Sequence, residues 1–503
     1  MRKRNVLMVW VAVAILSLPL AGRADVRLHG LLTDNMVLQR DIRAPVWGWA
    51  EPGEVVTVEF HGQTVRTTAE DGRWKVFLKP TKAGGPYEMT ISGNNEIVLH
   101  NVLVGDVWVC GGQSNMHFQM QAYADRSKNR PEAVVEQYER MIADTSPRNL
   151  RLMLIDKISR AQPQENIQIV KEFDNSWQEL SPERTAVFSA LGFMFGRILN
   201  EDLNVPIGLI DANKGGTRAE LWMPKDLFGG TPPSEDGPSS LYNGIIAPLQ
   251  PFAIKGVIWY QGESNAETVA DCLAYGSTFP DLIRAWRRDW GQGDFAFLFV
   301  QLASFRKKAE EPVDELWPLL RDSQVKALVL PNTGMAVAID LGEEDDIHPY
   351  RKQAVAERLA LAAKRVAYGT DIIASGPTFK KMEIKESNAV VTFDNVGGGL
   401  VAKDVVLDKY HLSADELRGF AICGNDRRFV WANAEIVGGT VVVSSPQVSK
   451  PVAVRYAWSD FPLCNLYNVE GLPAVPFRTD SFEADVDMAK YEKPPQNRQR
   501  KKN

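Results

Sequence analysis

A chain of 503 residues is too long for one ordinary core, so two or three domains sharing a functional centre are expected. Its 45% hydrophobic and 24% charged residues exclude wholesale disorder, a collagen-like repeat and a multi-span membrane protein. With 57 basic against 63 acidic residues the formal charge is −6, which gives no electrostatic ground for a nucleic acid partner.

The first residues read as an address label. Arg2, Lys3 and Arg4 make a basic start, Val6 to Ala21 is an apolar run broken only by Ser17 and Pro19, and Gly22-Arg23-Ala24 is a small-residue exit. This pattern predicts a signal peptide over 1–24, cut after Ala24, and hence export to a periplasm or beyond. No later stretch is long and apolar enough to span a bilayer, so no membrane span is expected after cleavage. In that compartment the four cysteines could oxidise. Cys423 and Cys464 lie in one late region and are the first pair to suggest for a bridge, while Cys110 in an apolar strand reads as a buried thiol.

Residues 25–104 alternate apolar and polar side chains, as in Val56, Val58 and Phe60 or Trp74, Val76 and Leu78, between the turn dipeptides Pro52-Gly53, Asp71-Gly72 and Ser92-Gly93. Short alternating runs between turns predict a small β-sandwich. From 105 to 370 the pattern changes to α/β. Val107 to Cys110, Ile207 to Asp211, Val257 to Tyr260, Phe295 to Leu302 and Met335 to Asp340 are apolar strands, and Phe188, Leu191, Phe195 and Ile198 repeat at helical spacing. Such alternation predicts a parallel sheet flanked by helices, with ligands beyond the carboxyl ends of its strands. Its last helix is expected from Pro349, with Val355, Leu359, Ala362 and Val366 on one face and Gly369 as a stop. Period-two runs return over 371–483, predicting a second β-rich region, and the basic stretch 484–503 reads as a disordered tail.

Four loops at predicted strand ends carry the chemistry. After Cys110 comes Gly111-Gly112-Gln113-Ser114-Asn115-Met116, whose glycines allow a sharp turn that lifts Ser114 above the sheet edge as a nucleophile. After Asp211, Asn213-Lys214-Gly215-Gly216-Thr217-Arg218 has paired glycines able to expose a backbone N–H toward the same centre. After Tyr260, Gln261-Gly262-Glu263-Ser264-Asn265 brings several hydrogen-bonding side chains to one strand end. The fourth loop, Glu343-Glu344-Asp345-Asp346-Ile347-His348-Pro349, sets acids just before a histidine, and Asp345, three residues ahead of His348, has a spacing that could hold the second ring nitrogen. Each piece alone is ambiguous, but together they point to acyl transfer. The six scattered histidines and the absence of CxxC or HExxH argue against a zinc site, and no metal or other cofactor is expected.

These loops resemble the SGNH hydrolases, and within them the sialate O-acetylesterase family. The resemblance runs through Asn35-Met36-Val37-Leu38-Gln39, Val104-Gly105-Asp106-Val107-Trp108, Gly112-Gln113-Ser114-Asn115-Met116 and Gly215-Gly216-Thr217, then Trp259-Tyr260-Gln261-Gly262-Glu263-Ser264-Asn265, Ile347-His348-Pro349 and Gly471-Leu472-Pro473-Ala474-Val475-Pro476-Phe477. It implies an SGNH-type, flavodoxin-like sheet with β-sandwich-like regions at both ends. It also implies Ser114 as nucleophile, His348 as base, Gly216 and the Ser114 amide as oxyanion donors, and Gln261 as a third donor with Glu263 orienting the loop. The orienting acid stays open between Asp345, Asp346 and a backbone carbonyl. The implied substrate is an acetylated sugar, most simply an O-acetylated sialic acid, whose carboxylate Arg218 could meet if it is not held in a surface ion pair. Acetylxylan or another acetylated polysaccharide is the alternative. An exported carbohydrate-binding protein, suggested by the β-rich ends and 13 tryptophans, is the non-enzymatic one. Oligomeric state is not legible in the sequence.

Overall fold

The computed structural model describes residues 25–491 except 129, 147–148, 169–175 and 231. The segment 1–24, read as a signal peptide, and the basic end of the tail therefore lie outside the described residues.

The predicted alternation near the amino end takes the form of two facing sheets. Pro45–Trp49 pairs with Arg27–Leu28 and Arg73–Phe77, while Val55–Phe60 pairs with Gln63–Thr68 and Gly84–Ser92. Val56, Val58 and Phe60 from one sheet and Trp74 and Val76 from the other are buried in a shared core. The turns at Gly53 and Asp71-Gly72 have positive φ, as their residue types predict. Gly84–Ser92 then pairs with the first half of β1 (Glu96–Gly112), a 17-residue strand that passes residue 104 without a break.

The second half of β1 is the centre of the parallel sheet. With β2 (Leu150–Leu154), β3 (Ile207–Asn213), β4 (Gly256–Tyr260), β5 (Ala296–Gln301) and β6 (Thr333–Val337), the order is β2-β3-β1-β4-β5-β6. The last five carry the apolar runs read from the sequence. The edge strand β2 has no counterpart among the strands read from the sequence, because Arg151 interrupts its apolar run. Cys110 faces Gly192 of α2 (Ala190–Leu203), whereas Gly111 faces Trp286 of α3 (Val269–Trp290). Successive residues of a strand point to opposite faces. Accordingly α2 and α5 (Lys352–Val366) cover one face, and α3 and α4 (Leu316–Val325) the other. The last helix starts three residues after Pro349, which stays in the preceding loop.

β1 pairs with β3 on one side and β4 on the other, so the chain winds outward in both directions from it. That topological switch leaves a crevice beyond its carboxyl end. Asp106, fully buried where β1 enters the parallel sheet, accepts hydrogen bonds from Gln39, Arg40 and the Tyr368 hydroxyl.

Beyond α5, two four-stranded antiparallel sheets form, one built on Asn388–Asp394 and Thr440–Ser444 and the other on Phe420–Cys423 and Ala453–Tyr456. The buried Arg321 guanidinium of α4 donates to the carbonyls of Ser459 and Asp460, fastening this region to the parallel sheet. Two expectations are corrected. Cys423 and Cys464 form no bridge, and all four cysteines are free and buried. The segment 484–491, assigned to the tail, is pinned, since the Tyr491 hydroxyl donates to Asp460 at 2.8 Å and accepts from the Leu316 amide. Among the described residues no helix is long and apolar enough to cross a membrane.

Candidate active site

The turn after β1 is built around Gly112. Its φ of 127° lies in the region that favours glycine, and a Cβ there would collide with the Tyr260 carbonyl oxygen of the neighbouring strand. The Gln113 amide donates to that same carbonyl at 2.9 Å. The chain then enters the single helical turn α1 (Ser114–His117), locked by buried Met116, whose carbonyl accepts from the Ser189 hydroxyl. Ser114, the first residue of that turn, is left half-exposed.

The glycine turn after β3 lies against it. A Cβ on Gly215 would stand 3.6 Å from the Ser114 Cβ, and Gly216, exposed and at φ 68°, faces open space. Among the described residues the amides of Ser114 and Gly216 donate to no protein group, so both are available to an incoming oxyanion. His117 also stands near, but Lys157 donates to its Nδ1 at 2.8 Å while neutralising Asp211. Burial, and then the Lys157 charge, hold the His117 imidazole below its ordinary range.

The third loop is structural. Gln261 is fully buried, its Nε2 donates toward Gln113, Thr217 and Asn265, and its Oε1 accepts from Tyr275. No amide hydrogen remains for a substrate, so the expected third oxyanion donor is instead a brace between two site loops. Arg218 is likewise committed. Its guanidinium meets Asp271 at 2.6 Å, Glu220 at 3.3 Å and Glu267 at 3.5 Å, so it is held in an ion-pair cluster and is not free for a substrate carboxylate.

The acidic run before His348 separates into four different jobs. Glu343 accepts from the Tyr350 amide. Glu344 is buried and accepts from Lys409, Tyr410 and the Lys308 amide. Asp345 has a side chain 78% exposed and pairs outward with Lys307 at 2.7 Å, which corrects its expected role. Asp346 is the acid at the histidine, with Oδ1 at 3.5 Å from Nδ1 and accepting the His348 backbone N–H at 2.8 Å. His348 in turn holds the Asp346 carboxyl below its ordinary range. The imidazole stacks on Phe118, with ring centroids 4.2 Å apart.

Two residues without an assigned role complete the arrangement. Asn115, next to Ser114 and buried, donates from Nδ2 to Glu263 Oε1 at 2.5 Å and to the Ile347 carbonyl at 3.0 Å. Its Oδ1 accepts from Lys352 Nζ at 2.5 Å. The Ser114 turn, the Glu263 loop and the histidine loop are thus fastened through one amide. Glu263, expected to orient its loop, is the buried acceptor of the Asn115 amide. Lys352 left one signal in the sequence, since a lysine in the first turn of a helix opposes the helix dipole and needs another reason to be there. Among the described residues no group of three or more His, Cys, Asp or Glu side chains gathers to hold a metal.

The chain is similar to known carbohydrate esterases. Residues 104–365 match a family described as carbohydrate esterase, sialic acid-specific acetylesterase. Over 90% of its length the chain is 32% identical to the sialate O-acetylesterases of Mus musculus and Homo sapiens, covering 94% and 92% of them respectively. A crystal structure of a carbohydrate acetylesterase from Xanthomonas citri superposes with a TM-score of 0.81 and 39% identity, over 91% of this chain and all of that one.

Proposed function

The chain belongs to the sialic acid-specific carbohydrate acetylesterase family and is a carboxylic ester hydrolase, and from that premise we propose that it removes O-acetyl groups from sugars through Ser114. The observation that carries the serine mechanism is the Asn115 amide, which fastens the turn bearing Ser114 to the loop bearing His348. Asp346 lies on the Nδ1 side of the imidazole and leaves Nε2 for the serine. Ser114 Oγ attacks the acetyl carbonyl carbon while His348 takes its proton, and the oxyanion forms against the amides of Ser114 and Gly216. Collapse breaks the ester bond, and the departing sugar oxygen takes the proton from the imidazolium. Water, deprotonated by His348, then attacks the acetyl-serine, and collapse releases acetate as the imidazolium returns the proton to Ser114 Oγ. Asp346 steadies the imidazolium in both steps.

The substrate we favour is an O-acetylated sialic acid, in keeping with the name of the mouse and human relatives. A neutral acetylated polysaccharide such as acetylxylan is the second reading, and the commitment of Arg218 to three carboxylates favours it. The signal-peptide pattern over 1–24 supports work outside the cytoplasm. The test is acetate release by the mature protein and its Ser114→Ala variant on O-acetylated sialic acid and acetylated xylan in parallel. One substrate should be cleaved, and the variant should lose at least about 10³-fold in kcat. A variant that matches the parent overturns the serine mechanism, and an inert parent overturns both substrates.

A further inference from the structure

Beneath Ser114 and His348 a cation and an anion are buried at opposite ends of one amide. Lys352 and Asn115 are fully or almost fully out of solvent, and Glu263 nearly so. The Lys352 ammonium donates to Asn115 Oδ1 and lies over the rings of Tyr260 and Tyr123, at 5.3 and 5.8 Å from their centroids. Asn115 Nδ2 donates to Glu263 Oε1, while Glu263 Oε2 has no hydrogen-bond partner among the described residues. Such burial is costly. It pulls the Lys352 ammonium down to about 7 against the pull of Glu263, Glu343 and Asp346, and it pushes the Glu263 carboxyl up against Asn115, Lys352 and His348. Well-packed apolar side chains would serve stability alone at least as well, so the charges call for another reason.

We propose that Lys352 and Glu263 are positioning residues of the ester hydrolysis. A cation on the oxygen side and an anion on the nitrogen side permit only one orientation of the Asn115 amide, since a flip would set NH₂ against ammonium and C=O against carboxylate. In that orientation alone Nδ2 donates to the Ile347 carbonyl, and so the pair sets where the adjacent His348 stands relative to Ser114. The charges act through Asn115 and touch no substrate. The inference rests on the serine mechanism proposed above.

The test compares the parent with Lys352→Met, Glu263→Gln and the double variant, reading kcat, KM and thermal stability on the acetylated sugar that the parent cleaves. Lys352→Met leaves Glu263 buried without its cation. It should lower kcat about 10- to 100-fold, the cost of a misplaced reacting group, with KM changed less than about twofold. The double variant removes both charges at similar volume. It should regain the parent's melting temperature but not its kcat, which a merely structural pair would not do. If Lys352→Met fails to fold, the double variant decides alone. Parent-like kcat in the double variant overturns the inference, as does a single variant that loses only KM. A fluorophosphonate that labels serine nucleophiles separates the two readings. If the parent is not labelled at Ser114 the serine mechanism falls and this inference with it, whereas labelling together with a fully active double variant overturns the inference alone.

Discussion

Glu344 holds the histidine loop from behind, and its ionisation should be measurable as stability. Its side chain is 1% exposed. Burial alone would push its carboxyl up, but Lys409, the Lys308 amide, Tyr410 and Lys307 bring it from an ordinary 4.5 down to about 2. A carboxyl depressed on folding stabilises the fold above its unfolded value, and that contribution is lost as the pH falls through its folded value. At 1.36 kcal/mol per pH unit, the interval from 4.5 to about 2 corresponds to roughly 3 kcal/mol. Lys409 and Lys307 are more than half-exposed, so solvent screening reduces this to roughly 1–2 kcal/mol. Glu344→Gln keeps the size of the side chain and removes its charge. In urea unfolding followed by tryptophan fluorescence, the parent should exceed the variant by that amount at about pH 7, and the gap should close between about pH 4.5 and about pH 2. A gap that stays constant or widens on acidification refutes the reasoning.

Two further sets of variants test the site. Gly112→Ala forces a Cβ against the Tyr260 carbonyl at a positive φ and should cost about 3 kcal/mol or more, seen as a lowered unfolding midpoint with loss of activity. Asp346→Asn should lower kcat about 10- to 100-fold, less than in a triad with a tight buried acid, because its carboxylate is half-exposed and 3.5 Å from the ring. Asp345→Asn removes only an exposed pair and should stay within about twofold of the parent, as steady-state kinetics would show.

The parallel sheet was readable because five of its strands are buried on both faces and therefore appear as unbroken apolar runs. Ser114 and His348 stand out as candidates for a related reason. A glycine turn and a lone histidine at strand carboxyl ends are few enough to stand out. The acid was not, because spacing along a loop does not fix where a side chain points. Asp345 turns outward to Lys307, 38 residues earlier in the chain, and its neighbour takes the position at the ring. Arg218 shows the same limit, since Asp271 and Glu267, two of its three acids, come from 53 and 49 residues away. Gln261 does not fill the role the resemblance implies, because a side-chain amide displays its chemistry in the sequence but not whether its hydrogens are already taken.

The unbroken passage of β1 has a mechanical consequence. A strand hydrogen-bonded on both sides through the junction cannot flex there without tearing its ladders, and the Asp106 rivet lies at that point. The amino-terminal sheets are therefore a fixed mount for the catalytic crevice and not a tethered arm. A polymer that touched both would be presented to Ser114 at one angle, with no swinging search by the protein. Any gating of the crevice falls to the loops at the strand ends, which Asn115 and Glu344 already restrain.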